Sequence, residues 1–394
     1  MNARVIKKKN NYYIAMEWYQ NGERKTRSVS VRKELQLDRP AESREAKALR
    51  DKLMTEHRQG TYILPSSTPF EKFISEWIES YKYNIKQTTY ESYKETIKNH
   101  IIPELGDYTL HTLRPSHLKA LYSRKLKSGR ADGKPGGLSN RSVKYIHTIL
   151  RLALQQALED ELVSRNIAKA VTPPKVPRPQ IKYWEWGKAK AFLSETQKDR
   201  YYLFYLIALS TGMARGEILG LRWQDINFSK QTLSIRQTIV NTNAGPLIQP
   251  SAKTSTRERT LDLSASLVEK LKFHKAKQSA EIVALKNKSH PGLIFTTSTG
   301  NLVRPRDIDR AFSRAAARIN KKMQKEKKIE EYLSPLSLHG LRHTYATHLL
   351  EEGVHPKIVS ERLGHSGIRI TLDTYSHVSP RLHKEVANLT DDLL

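Results

Sequence analysis

Aromatic-rich, strand-like segments in the first thirty residues give way to apolar positions at helical spacing. Tyr12-Tyr-Ile-Ala-Met-Glu-Trp-Tyr19 is aromatic-rich and strand-like, and Arg24-Lys-Thr-Arg-Ser-Val-Ser-Val31 reads as its return strand. Asn21-Gly22 between them is a hairpin turn signal. With Val5-Ile-Lys-Lys-Lys9 in front, they predict a three-stranded sheet. Pro40 and Ala41 open a helix to about Gln59, closed by Gly60. Residues 60–69 read as a linker.

Four helices follow. Phe70, Phe73, Ile74, Trp77 and Tyr81 mark one apolar face. Thr88 to His100 is a second helix, interrupted at Ile102-Pro103. Ser116 caps a third, to about Lys127. After a Gly-rich loop over 128–137, Ser139 caps a long fourth through Leu162, with Val143, Ile146, Leu150, Leu154 and Leu158 as its stripe. Val171-Thr-Pro-Pro-Lys-Val-Pro-Arg-Pro179 is a stiff, extended connector. Beyond it, Trp184 begins a helix to about Thr196, and Tyr201 to Ser210 is a buried helix. Gln231 to Thr242 looks like strand, and a helix starts near Pro305. The charge run Lys321 to Glu331 extends that helix into solvent. The segments are therefore 1–62, 65–171, a linker at 172–182, and 183–394. The fold class is multidomain: a small α+β module, an all-α four-helix domain, and a mainly α domain with a small antiparallel sheet.

Composition narrows the partner. The 394 residues carry a net charge of +28, an excess that suits nucleic acid or an anionic membrane surface. The positive charge is spread over all three segments rather than gathered in a tail. No apolar run is long enough to span a bilayer and no signal peptide opens the chain. A soluble, cytoplasmic, nucleoid-associated protein of a bacterial cell is expected. With no cysteine, disulfides, thiolate metal sites and thiol catalysis are excluded.

The candidate chemistry lies near the end of the chain, in Ser337-Leu-His-Gly-Leu-Arg-His-Thr-Tyr-Ala-Thr-His348, Leu363-Gly-His365 and Asp373-Thr-Tyr-Ser-His-Val378. His339 and Arg342 stand three apart, on one face of a helix. An arginine forks non-bridging phosphate oxygens. Imidazoles donate hydrogen bonds or move protons, and a phenol is a nucleophile. A lone His-x-x-Arg would read as a helix with buried histidines. The ordered set points to a phosphodiester.

That set resembles the carboxyl-terminal signature of the tyrosine recombinases, or phage integrase family. Thr211-Gly-Met-Ala-Arg-Gly-Glu-Ile-Leu-Gly-Leu-Arg-Trp-Gln-Asp-Ile226 resembles the family's first catalytic box. Ser251 to Leu263 resembles the hairpin that carries its lysine, here Lys253. The sheet-plus-helix module resembles the family's arm-binding domain, with Lys7, Lys9, Arg24, Lys25 and Arg27 as candidate contacts to a DNA major groove. The four helices resemble its core-binding, SAM-like domain, with Lys86, Thr88, Arg141, Lys144 and Arg151 as candidate phosphate contacts.

One position departs from the pattern. The resemblance places a catalytic arginine three residues before Glu217, and that slot holds Ala214. Arg215 is next door, but one position turns a side chain by about 100°. Three readings stay open. The box is shifted and Arg215 is catalytic; or an altered turn lets Arg215 reach the phosphate; or Ala214 replaces the arginine and the chain is a disabled variant that binds DNA and cleaves it poorly.

The resemblance implies the rest. Tyr375 attacks the scissile phosphate and forms a 3′-phosphotyrosyl link. Lys253 protonates the leaving 5′-oxygen, Arg342 and the missing arginine neutralise the non-bridging oxygens, His339 is the base toward Tyr375, and His365 bonds the phosphate. No metal and no nucleotide cofactor is implied. The partners implied are double-stranded DNA at core and arm sites, three further copies in a homotetramer on synapsed DNA, an excisionase and a host DNA-bending protein. The tail after Tyr375, with Val386, Leu389, Leu393 and Leu394, packs in cis or on a neighbouring protomer. The function expected is integration and excision of a mobile element, phage or conjugative. The alternatives are a type IB topoisomerase and a non-catalytic DNA-binding accessory protein.

Overall fold

The computed structural model describes residues 2–20, 23–35, 37–58, 68–130, 132–177, 180–250, 258–284 and 292–375. The turn expected at Asn21-Gly22, the linker at 59–67, Lys253 and the tail from Ser376 lie outside them. The chain divides into two compact units, 1–177 and 178–394.

In the first unit, β1 (Asn2–Lys8), β2 (Asn11–Gln20) and β3 (Glu23–Ser30) form an antiparallel sheet in that order. A single turn, α1 (Val31–Glu34), and a long helix, α2 (Ser43–Arg58), follow. The long helix starts at Ser43 rather than Pro40. The Glu45 carboxylate accepts from the Glu42 N–H at 2.7 Å and from Arg39, which satisfies the first turn locally. Ile14 and Met16 on one face of the sheet pack with Ala46, Leu49 and Leu53 of α2.

A separate core belongs to α3 (Phe70–Tyr81), α4 (Gln87–Thr96), α5 (Ile102–Leu105), α6 (Pro115–Lys127) and α7 (Asn140–Glu159). The break expected at Ile102-Pro103 does not occur. A π-helical turn, Ile97–Ile101, carries the chain from α4 into α5. Its extra residue puts Pro103 in a new first turn, where a missing N–H costs no bond. The third helix starts at Pro115, with Arg114 rather than Ser116 at its cap. Ser139 does cap α7, its Oγ accepting from the Ser142 N–H at 3.2 Å. That helix ends at Glu159, three residues short of Leu162.

The second unit contains α8 (Trp186–Glu195), α9 (Tyr202–Thr211), α10 (Arg215–Leu219), α11 (Ala265–Ala284), α12 (Pro305–Lys325), α13 (Leu338–Glu351), α14 (Pro356–Leu363) and α15 (Ile368–Tyr375). Trp184 precedes α8 and lies in the core, its N–H on Thr344 Oγ1 at 3.0 Å and its Nε1 on the Ser334 carbonyl at 2.9 Å. The strand expected over 231–242 is two strands. Here β4 (Ile226–Asn227), β5 (Thr232–Ile235) and β8 (Arg259–Asp262) form one sheet, while β6 (Gln237–Thr242) pairs with β7 (Gly245–Pro250). The main core runs from Trp184 and Phe192 through α9 to Phe312 and Ile319 of α12. A smaller cluster of Tyr345, Ala346, Leu350, Val359, Leu363 and Tyr375 joins α13, α14 and α15. At about 1.5–3 kcal/mol for each large apolar side chain buried, this cluster is enough to seat the last helix.

Candidate active site and nucleic-acid surfaces

Left-handed glycines place two of the site's backbone oxygens and turns. Gly212 ends α9 at φ +66°, and Gly364 ends α14 at φ +70°. Both are conformations glycine adopts at little cost. The chain thereby turns the Gly212 and Leu363 carbonyls toward α13, where the buried Arg342 guanidinium donates to them at 3.0 and 2.7 Å. Arg342 is thus held by two elements that are far apart in sequence.

His339 and His343 lie one turn apart on α13, rings edge to face with centroids 4.9 Å apart. His343 Nδ1 is 2.9 Å from the Tyr375 hydroxyl. His365, in the turn after α14, is 2.8 Å from Thr371 Oγ1 through its Nδ1. The structure therefore brings His339, Arg342, His365 and Tyr375 into one region. It adds His343, which the spacing argument passed over. Its signal was available: position 343 is four residues after His339, on the same helix face.

The surroundings set the charge states. Tyr375 is 3% exposed. Burial pushes its phenol up to about 12, and the nearby Arg342 charge only partly opposes that rise. The His365 imidazole is pushed down to about 4 by burial, then by Arg342, Arg259, His343 and His339. Burial, followed by the charges of Arg342 and Arg215, also holds His339 below its ordinary value. Near pH 7 all of these effects favour the neutral forms.

At the first box, Ala214 is the extended N-cap of α10, and its N–H donates to Glu217 Oε2 at 2.8 Å. Arg215 is the first helical residue and pairs with Asp309 of α12. A second guanidinium, absent from the sequence reading, is built in deeply. Arg259 on β8 forks both Glu217 oxygens at 3.0 Å and donates through Nε to the Arg362 carbonyl at 2.7 Å. Box, sheet and the end of α14 are joined there.

The sheet register sorts the predicted arm contacts. Lys7 pairs with Tyr12 and Arg27 with Met16, so these positions fall on the face that packs against α2, where Lys7 stays exposed, and Lys25 pairs with Trp18. Arg24 pairs with Tyr19 on the opposite, open face, which also carries Arg4 and Lys8. There Arg24 and Arg4 approach Glu17 at 2.9 and 3.8 Å. Lys9 occupies the β1–β2 turn at φ +50°. In the helical domain, Lys86 caps α4 and is exposed, and Thr88 is half-buried in its first turn. Arg141, Lys144 and Arg151 are exposed along one side of α7.

Residues 188–381 match the sequence profile of the "Phage integrase family", and residues 69–126 match the "Phage integrase, N-terminal SAM-like domain". The ICEBs1 integrase of Bacillus subtilis is 28% identical over 354 residues, 89% of this chain and 90% of that protein. A tyrosine recombinase XerC-like protein of Caldanaerobacter subterraneus subsp. tengcongensis is 25% identical over 370 residues, again 89% and 90% of the two chains. Among solved structures, the Tn1549 transposon integrase in complex with transposon right-end DNA aligns with a TM-score of 0.62. It is 20% identical and covers 82% of this chain and all of its own. A lambda integrase from a tetramer bound to a Holliday junction aligns at 0.55, 18% identical over 91% of this chain and 96% of that one.

Proposed function

The chain belongs to the phage integrase family of tyrosine recombinases, and from that membership we propose that it integrates and excises a mobile element by site-specific strand exchange. Tyr375 is the nucleophile and becomes the 3′-phosphotyrosyl link. Arg342 neutralises the non-bridging oxygens, His365 donates to one of them, and Lys253 protonates the departing 5′-oxygen. His339, the base that the resemblance implies, lies near Arg342 and Arg215, while the imidazole on the Tyr375 hydroxyl is that of His343. The single observation that carries this reading is the convergence of Arg342, the histidines and the Tyr375 hydroxyl in one region. The work of such a site is positioning and charge stabilisation.

The open face of the amino-terminal sheet, with Arg4, Lys8 and Arg24, is the groove-facing surface. Arg141, Lys144 and Arg151 of α7, with Lys86 and Thr88 at the start of α4, track phosphates. Residues 1–62, 65–171 and 183–394 act as arm-binding, core-binding and catalytic domains. A homotetramer on synapsed DNA carries out exchange, helped by an excisionase and a host DNA-bending protein. The named relatives, one of them a tetramer on a Holliday junction, support this assembly.

Ala214 limits the chain as it stands. The neighbouring Arg215 pairs with Asp309, which supports the reading in which one phosphate guanidinium is missing. Loss of one such donor costs about 10²–10³-fold in rate. Ala214 is also what favours a second reading, a DNA-binding accessory protein on a recombinase scaffold.

The test is a covalent-trapping assay on a nicked duplex spanning an end of the element that carries this gene. Little adduct is expected from the chain itself, a strong one from Ala214→Arg, and none once Tyr375→Phe is added. A strong adduct from the unaltered chain would make Arg215 the working arginine. No adduct from Ala214→Arg would favour the accessory-protein reading.

A further inference from the structure

The phenol that the proposed chemistry needs is almost wholly enclosed: Tyr375 is 3% exposed. A proton leaving it must pass to a group already beside it. His343 is such a group, with Nδ1 2.9 Å from the hydroxyl and the two rings 5.7 Å apart. The second histidine of α13 thus faces the nucleophile. His339 lies near enough to Arg342 and Arg215 for both charges to lower it, and its own ring packs edge to face on His343.

We propose, on the footing of the recombinase reading above, that His343 is a catalytic residue: Nδ1 holds the Tyr375 phenol for attack and takes its proton. With its own proton on Nε2, the neutral ring accepts from the phenol at Nδ1. As the tyrosyl oxygen bonds to phosphorus, the phenolic proton moves to Nδ1 and the ring becomes imidazolium. The phosphorus–5′-oxygen bond breaks, and the leaving oxygen takes its own proton from Lys253. In the reverse step the imidazolium returns its proton to the tyrosine. The charged and titratable groups around His343 include His339 and Arg342 on α13, His365 after α14, and Tyr375 on α15.

Asparagine separates holding from proton uptake, because its Oδ1 can accept where Nδ1 does but cannot take a proton. In the Ala214→Arg chain, His343→Asn should slow adduct formation on the nicked duplex by about 100-fold or more. DNA affinity and the thermal midpoint should stay unchanged, and the acid limb of the pH–rate profile should disappear. A rate within threefold of the parent, or an unchanged acid limb, overturns the proposal. The hydrogen bond is tested without catalysis by the ¹⁵N imidazole shifts of the unaltered chain. His343 Nδ1 should report an acceptor, and its shift should move when Tyr375→Phe removes the donor; no movement overturns the proposal. A parent that forms no adduct would instead sink the recombinase reading itself.

Discussion

Two glycines carry more of the site than any apolar residue of their size could. A Cβ at Gly212 would lie 2.4 Å from Tyr345 Cδ1 and 2.7 Å from Leu363 Cδ2, and one at Gly364 would lie 2.6 Å from Arg259 Nη1. Gly353 has a similar φ, +77°, but open space around it. Gly353→Ala should therefore cost only the left-handed penalty, about 1–2 kcal/mol. Gly212→Ala should cost distinctly more and displace the carbonyl that holds Arg342. Urea unfolding of both variants measures the difference, and equal losses would show that the close approach relaxes freely. The same scale bears on position 214: a residue at an N-cap and the residue after it project differently, and here Arg215 pairs with Asp309 while its charge still reaches His339.

Among the elements, Arg259 does for the box what packing does for the helices. Its fork to Glu217 and its Nε bond to the Arg362 carbonyl tie β8 to α10 and to the end of α14. Both side chains are nearly buried. Removing one partner of such a pair leaves the other charge without compensation and costs about 3–5 kcal/mol. Arg259→Ala should lose stability of that order, and Arg259→Ala with Glu217→Ala should lose less than the single change. Strict additivity in a double-mutant cycle would argue against the coupling. The sheet of the amino-terminal module makes a related point. Charged residues in a strand were visible in the sequence, but which of them face outward follows from pairing. A shift of one position moves every side chain to the other face.

Among the described residues, six histidines are pushed toward the neutral form. Burial lowers His100, His111, His147, His274, His339 and His365, the last to about 4. Unfolded histidines take up protons near 6.5, while these folded ones resist until lower pH. Between those values the unfolded state binds more protons, so stability falls as pH falls through the window and is fully present above it. The urea midpoint should be clearly lower at pH 5 than at pH 7.5. An unchanged midpoint would mean that these rings open to solvent without unfolding.

The order of elements, the helical stripes of residues 70–162, the proline connector and the candidate positions 339, 342, 365 and 375 were all legible in the sequence, because periodicity and motif spacing are local properties. Lys253 and the tail had a sequence reading too, and they lie outside the described residues. Tertiary structure alone decided which imidazole meets the phenol, which guanidinium is locked to Glu217, and which face of the first sheet is open. Each of these depends on contacts between segments distant in the chain. His343 reaches Tyr375 across thirty-two positions, and Arg259 reaches Glu217 across forty-two. Such contacts exist only once α13, α14 and α15 share a core and β8 pairs with β5.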